Sequence, residues 1–362
     1  MKQSIAINGR FLTQSITGVQ RCALEVVQQI DALLLENPVL CKKYDFTLIS
    51  PKASRSHAIS LKVIKHIITP RIQTQFWEQI LLTWYARKSL LLCLCNTGPI
   101  IHPNQSVTIH DASFITHPDG YTKWYRFWNV SILRFLVKRV FKIVTDSRYW
   151  QIELQSHFKF DASKIQTIYL GHEHITRVNP DYSIHENYDL NAKPYILAVS
   201  SKNPNKNFKL ITDALSLLKN VDYNVVIAGG GDNNVYVDDG FTYPSFVRCV
   251  GFVSDSQLKA LYLKSQCFVY PSITEGFGLP PLEAIACGCP IIISDRTCLP
   301  EIFGDSALYC NPYDPSDLAT KITHLSESEE LRKALIAKGR LLLGRYTWRK
   351  CGEQYFDIIT GR

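Results

Sequence analysis

The chain has 362 residues, 46% apolar and 20% charged, with a formal net charge of +8. That length predicts about two domains of ordinary size rather than one core. No run of about 18 uncharged apolar residues occurs, so no spanning helix is expected, and the N-terminal M-K-Q-S-I-A-I-N-G-R lacks the apolar stretch and cleavage site of a signal peptide.

Ser4–Asn8 reads as a strand followed by a polar loop, Gly9–Thr17. Gly18-Val19-Gln20-Arg21 then opens a helix with apolar residues at Ala23, Val26, Val27, Ile30 and Leu33. Short apolar runs follow at Phe46–Ser50, Leu90–Cys95, Ser106–His110 and Lys142–Thr145, and a helix is expected at about Gln73–Arg87. The stretch from Asn179 to Lys193 is polar and aperiodic and reads as a linker. A second series runs through Tyr195–Val199, Asn224–Ala228, Phe246–Val250, Cys267–Tyr270 and Pro290–Ser294, and the tail from about Glu329 looks helical. Such alternation predicts two parallel α/β sheets, which bind ligands outside their strand C-terminal ends, in a central cleft that the two domains would face. The expected division is 1–178, a linker at 179–193, 194–346, and a last segment, 347–362, that crosses back to the first domain.

Eleven cysteines are present. Cys93, Cys95, Cys267 and Cys310 sit in apolar runs, and neither Cys93-x-Cys95 nor Cys287-x-Cys289 has zinc-knuckle spacing, so reduced structural thiols are expected and no metal site. Residues 1–180 hold 22 Lys+Arg against 11 Asp+Glu, whereas 181–362 hold 18 against 21. The first half is therefore expected to face something anionic, such as a membrane surface, a phospholipid carrier or nucleic acid.

The most informative stretch is T-E-G-F-G-L-P-P-L-E-A-I-A-C-G-C, from Thr274 to Cys289. It sets Glu275 and Glu283 around a glycine turn that opens a helix. Glycines let backbone N–H groups approach a ligand, a helix N-terminus favours phosphate, and carboxylates accept hydroxyl protons. Glu275-Gly-Phe-Gly-Leu-Pro-Pro-Leu-Glu283 resembles the E-x7-E motif of retaining nucleotide-sugar glycosyltransferases of the GT-B fold. Tyr270-Pro271-Ser272, Ala286-Cys287-Gly288-Cys289-Pro290, Leu299-Pro300-Glu301 and the N-terminal I-N-G-R-F-L-T-Q-S-I-T-G-V-Q-R are similar to family 4 of those enzymes. The resemblance spans essentially the whole chain and is strongest from Phe246 to Asp317.

The resemblance implies that Glu283 binds the donor ribose, that Glu275 touches the transferred sugar, and that the amides of Gly276, Phe277, Gly278 and Leu279 meet sugar and diphosphate. It also implies that the loop Ser200–Asn207 grips the diphosphate. Lys206 matches the family's lysine, but Ser201 and Lys202 stand where many members place an arginine, which leaves the second positive charge open. Gly18 matches a turn close to the diphosphate. His110 matches a strand-end histidine that reaches the reacting sugar; the alternative is a histidine satisfied by backbone. Asp111 reads as a loop cap or as a residue orienting His110, and Arg10 and Arg21 as anion contacts or surface charges. Gly229-Gly230-Gly231-Asp232 lacks dinucleotide-loop spacing and reads as a plain loop.

No D-x-D triplet occurs. Metal-dependent transferases of the other common fold use such acids, so leaving-group stabilisation without metal is expected, with no cofactor beyond the nucleotide-sugar substrate. The expected function is transfer of a sugar, with a lean to mannose from GDP-mannose, onto a lipid-linked or lipopolysaccharide-type saccharide at the cytoplasmic side of a bacterial membrane. A GT-B epimerase or phosphorylase, or a non-catalytic nucleotide-sugar or glycan binder, are the rival readings. Residues 121–142 combine Lys123, Arg126, Arg134, Lys138, Arg139 and Lys142 with Trp124, Tyr125, Phe127 and Trp128 and no acid. They read as a peripheral contact with anionic membrane or as a core-facing helix with a charged outer side. No nucleic-acid-binding signature occurs, and no nucleic-acid partner is expected.

Overall fold

In the computed structural model, residues 2–52, 59–70, 74–199, 203–218, 223–229 and 244–361 are described. Contacts divide the chain into two units. The first comprises Met1–Ala112, Phe127–Gly171 and Trp348–Arg362, and the second Ser113–Arg126 and His172–Thr347.

Among the described residues the first unit has seven strands: β1 (Gln3–Asn8), β2 (Tyr44–Pro51), β3 (Lys65–Thr69), β4 (Leu90–Cys93), β5 (Gln105–Thr108), β6 (Lys142–Thr145) and β7 (Ile165–Thr167). They pair in parallel in the order β3-β2-β1-β4-β5-β6-β7. Apolar runs such as Ile5–Ile7, Leu91–Leu92 and Ile143–Val144 are fully buried, as a parallel sheet covered on both faces requires. Helix Gly18–Glu36 buries Cys22, Ala23, Val26, Val27, Ile30 and Leu34, the stripe that a 3.6-residue period predicts. The C-terminal helix Trp348–Thr360 packs on it at Gly352, where a Cβ would collide with Gln29. The Tyr355 hydroxyl lies 2.9 Å from Thr108 Oγ1, tying that helix to the end of β5.

The second unit has six strands among the described residues: β8 (Tyr195–Val199), β9 (Asn224–Ala228), β10 (Val247–Gly251), β11 (Cys267–Tyr270), β12 (Ile291–Ser294) and β13 (Leu308–Cys310). Their order is β10-β9-β8-β11-β12-β13, again parallel. Ile196, Ile211, Val225, Val269, Ile292 and Leu318 lie in its core.

Each sheet has one place where the chain reverses its direction of strand addition: between β1 and β4 in the first, and between β8 and β11 in the second. Loops leaving the two strands there part in opposite directions and open a crevice at the strand C-terminal ends.

The chain passes from one unit to the other at Gly171/His172, earlier than the polar stretch 179–193. That stretch carries a short helix, Ser183–Asn187, and is pinned within the second unit. The Asp181 amide donates to the Ser256 carbonyl (2.9 Å) and the Tyr188 hydroxyl to the Val250 carbonyl (3.1 Å), so its polarity is spent on internal bonds. Ser113–Arg126 also groups with the second unit. Its Tyr121 hydroxyl meets Ser113 Oγ at 2.7 Å and accepts from Asn203 Nδ2 at 3.4 Å.

Candidate functional site

The second unit's crevice gathers most of the expected donor residues. Lys206 ends a short 3-10 turn, Pro204–Lys206, in the loop after β8. Asn207 follows in the left-handed region at φ 57° and caps helix Phe208–Leu217. Its side-chain amide donates to the carbonyls of Pro312 (2.6 Å) and Pro271 (3.3 Å), which clamps the loop after β8 to the loop after β11. The Lys-Asn pair thus divides its labour: Asn207 fixes the loop, and Lys206 is aimed by it.

Lys206 Nζ donates to Glu275 Oε1 at 2.7 Å and to the Tyr270 hydroxyl at 3.1 Å. Burial would lower the Lys206 pKa, but the Glu275 carboxylate and the Tyr270 oxygen outweigh it and hold the ammonium well above the ordinary lysine range. Two of its three protons are thereby engaged. Glu275 is 9% exposed; its amide donates to Thr297 Oγ1 (3.2 Å), which ties the start of the turn to the segment after β12.

The turn Gly276–Gly278 enters helix Leu279–Ala286. Gly278 has φ 94°, and a Cβ there would press on Leu299 Cδ2 at 2.8 Å, so both backbone and packing demand glycine. Pro280 and Pro281 occupy the first turn and remove two amide donors from it. The remaining amides around this helix end are those of Gly276 to Leu279. Phe277 is buried edge-on against Tyr346, ring centroids 5.6 Å apart, which fixes the turn from below.

Glu283, one helical turn further in, is 7% exposed. Its Oε1 accepts from His174 Nε2 at 2.8 Å and its Oε2 from the Tyr262 hydroxyl at 3.1 Å. Neither partner stands out in the sequence. Tyr262 sits on a helix, Asp255–Lys264, with no motif around it. His174 falls before the polar stretch that reads as the linker, and only the passage at Gly171/His172 places it in the unit that holds Glu283.

Lys202 and the residues Gly230 to Asp232 lie outside the described residues. Gly18 and His110 belong to the first unit. Gly18 begins its helix behind a capping box of Thr17 and Gln20. Its φ is not positive, and a Cβ there would meet nothing within 4 Å, so neither backbone nor packing requires glycine at this position.

His110 lies two residues past β5 and is 4% exposed. Its Nδ1 meets Asp146 Oδ2 at 2.6 Å and its Nε2 meets the Leu94 carbonyl at 2.9 Å. Burial works against charging the ring, but the Asp146 carboxylate and acceptors on both nitrogens raise its pKa above the ordinary imidazole value. In this geometry both ring nitrogens are engaged within the unit, the arrangement of a histidine satisfied at a strand end.

At the first unit's crevice a different carboxylate appears. Glu78 starts a π-helical turn, Glu78–Leu82, within the helical stretch Thr74–Ala86. It accepts from Asn8 Nδ2 (2.6 Å), Arg10 Nη1 (2.9 Å) and Thr97 Oγ1 (3.0 Å). Arg10, its side chain 14% exposed, is thus drawn in as the ion-pair partner of Glu78.

Residues 183–342 match the family model described as "Glycosyl transferases group 1". The chain is 30% identical over 265 residues to O-antigen chain mannosyltransferase B of Escherichia coli, covering 68% of each chain. It is also 30% identical over 256 residues to the O-antigen chain mannosyltransferase RfbU of Salmonella typhimurium, covering 67% of this chain and 66% of that one. Its fold is similar to that of sucrose-phosphate synthase from Thermosynechococcus elongatus, with a TM-score of 0.74 over 99% of both chains at 16% identity. That likeness shows the architecture alone: two parallel α/β sheets of the GT-B kind.

Proposed function

Because the chain belongs to the group 1 glycosyl transferases and is therefore a glycosyltransferase, we propose that it transfers mannose from GDP-mannose to a saccharide hydroxyl, with retention and without metal, in the assembly of an O-antigen-type surface polysaccharide. Both relatives described above are named as O-antigen chain mannosyltransferases, which supports the sugar and the product class. The observation that carries the chemistry is Lys206, an ammonium 2.7 Å from Glu275 where the loops after β8 and β11 part.

In this reading the donor diphosphate lies against Lys206 and the amides of Gly276 to Leu279. As the glycosidic bond breaks, negative charge grows on the leaving phosphate, and a fixed ammonium and oriented amides stabilise it without reorganising. Glu275 then faces the sugar, where its carboxylate accepts a hydroxyl proton and lies close to the developing positive charge. Glu283 accepts from the ribose diol. His110 is given no direct contact with the sugar in this reading, since both its ring nitrogens are engaged within the first unit. The absence of a D-x-D triplet from the sequence supports catalysis without metal.

The helix Lys123–Arg139 supports a peripheral contact with anionic membrane, which would bring the enzyme to a lipid-linked acceptor. It buries the aliphatic Ile132, Leu133, Leu136 and Val137 and exposes aromatics: Trp124 by 73%, Phe127 by 65% and Phe135 by 59%. Trp124, Phe127, Trp128 and Phe135 fall on one helical face. Among the described residues no helix is long and apolar enough to cross a membrane. Replacing Trp124 and Phe127 with alanine should abolish sedimentation with anionic vesicles; unchanged sedimentation would remove this contact from the proposal.

The main test is a screen of nucleotide sugars with a saccharide–diphospholipid acceptor, with and without EDTA. Turnover of GDP-mannose that survives EDTA, giving a product with the donor's anomeric configuration, is expected. Preference for another sugar, inversion, or complete loss in EDTA would each overturn the matching part.

A further inference from the structure

We propose that His174 is the positioning residue of the nucleotide site: it sets the plane of the Glu283 carboxylate so that both oxygens face a vicinal diol. The inference rests on the reading of Glu283 as the ribose acceptor and adds a residue to it.

Glu283 and His174 are both more than nine-tenths buried. A carboxylate in such a place needs donors, or it rotates away or is neutralised. His174 Nε2–H supplies one to Oε1 at 2.8 Å, and the Tyr262 hydroxyl supplies one to Oε2 at 3.1 Å. One donor on each oxygen defines the carboxylate plane, and each oxygen keeps a lone pair for one hydroxyl of a diol. A ligand that meets a carboxylate already fixed loses less freedom on binding.

The two holds are unequal. The Tyr262 hydroxyl has one proton and lies 3.2 Å from the Pro280 carbonyl as well as 3.1 Å from Glu283, so its hold is shared. The imidazole contact is also the shorter one. His174 itself is placed by helix Glu173–Thr176, the first turn after the chain enters the second unit. The preceding His172 is anchored through Nδ1 to the Tyr346 carbonyl at 2.7 Å. His174 thus approaches Glu283 from an anchored turn rather than from a long flexible side chain.

The experiment is calorimetry of the full chain with GDP or UDP, whichever the wild type binds more tightly, on His174→Ala, His174→Gln, Tyr262→Phe, Glu283→Ala and the His174→Ala/Glu283→Ala double variant. His174→Ala should weaken the nucleotide about tenfold, which is about 1.4 kcal/mol. His174→Gln, whose amide N–H reaches a similar point, should recover most of that, and Tyr262→Phe should lose less. The double variant should bind no worse than Glu283→Ala alone, and in turnover His174→Ala should raise KM for the donor more than it lowers kcat. If Glu283→Ala weakens the nucleotide while folded His174→Ala does not, or if the two losses add, the positioning role is overturned. If Glu283→Ala itself leaves affinity unchanged, the ribose reading fails instead. Should His174→Ala not fold, the ranking of His174→Gln, Tyr262→Phe and wild type decides, and affinity that follows melting temperature rather than that ranking overturns the role.

Discussion

The two sheets offer the same crevice and fill it with opposite chemistry. Where β1 and β4 part, Glu78 is saturated by Asn8, Arg10 and Thr97, all from its own unit. Where β8 and β11 part, Lys206 donates, among the described residues, to Glu275 and the Tyr270 hydroxyl, two acceptors for three protons. Topology alone marks both crevices as ligand sites. What separates them is the sign of the charge: a carboxylate held by three donors repels an anion, whereas an ammonium with two acceptors still has capacity for one. That difference is what favours the second cluster as the proposed site for the diphosphate.

Substituting Lys206 tests that division most strongly. Lys206→Ala should lower kcat/KM by about 100- to 1,000-fold, the size expected when a preorganised charge facing a leaving group is removed. Some stability should go with it, because Glu275 is left nearly buried without its partner, but kcat/KM per folded molecule should still fall by that factor. Glu78→Ala should cost stability alone: about 3 kcal/mol, because Arg10, with a side chain 14% exposed, loses its partner, with activity tracking the folded fraction. Urea unfolding beside steady-state kinetics on both variants reads the contrast, and a catalytic collapse in stably folded Glu78→Ala would break it.

A smaller, pH-dependent effect comes from His110. Its folded pKa is raised, by Asp146 and the Leu94 carbonyl against the pull of burial. A raised histidine contributes stability that is fully present below its unfolded value of about 6.5 and is lost as pH rises through the folded value. Burial also pushes the Asp146 carboxyl above the ordinary carboxylate value, so Asp146→Asn should cost most just below about pH 6.5, progressively less above it, and less again in acid where Asp146 is protonated. Urea midpoints at several pH values check this, and a pH-independent loss would show that the pair is not an imidazolium–carboxylate.

How much of this the residues disclose in advance depends on where each element sits. Interior strands such as Lys142–Thr145, Tyr195–Val199 and Cys267–Tyr270 read directly as apolar runs, since a parallel sheet buries both faces of its strands. Two strands escape notice: β3 and β7, each at a sheet edge. β3 is almost wholly exposed and β7 has three residues, so neither carries the run that burial selects. In the site, Glu275, Glu283 and Lys206 are legible because loop and turn impose a local spacing. His174 and Tyr262 are not, because they reach Glu283 from 109 and 21 residues away, and no local pattern encodes such a contact. The π-turn at Glu78 is likewise invisible: one residue more in a helical turn leaves no compositional trace.

Gly18 gives the mildest test, and one that separates fold from ligand most cleanly. The other glycine of interest, Gly278, is demanded twice over, by φ 94° and by Leu299, so its replacement confounds folding with function. At Gly18 neither demand exists: φ is not positive and a Cβ would meet nothing within 4 Å. Alanine is moreover the better helix former by about 1 kcal/mol. Gly18→Ala should therefore hold or slightly raise the melting temperature. If the donor diphosphate comes close to this turn, the added methyl should raise KM for the nucleotide sugar several-fold, with kcat less affected. A variant at least as stable as wild type with unchanged KM would instead place Gly18 away from the ligand, leaving the second unit to hold the diphosphate with Lys206 and its own turn amides.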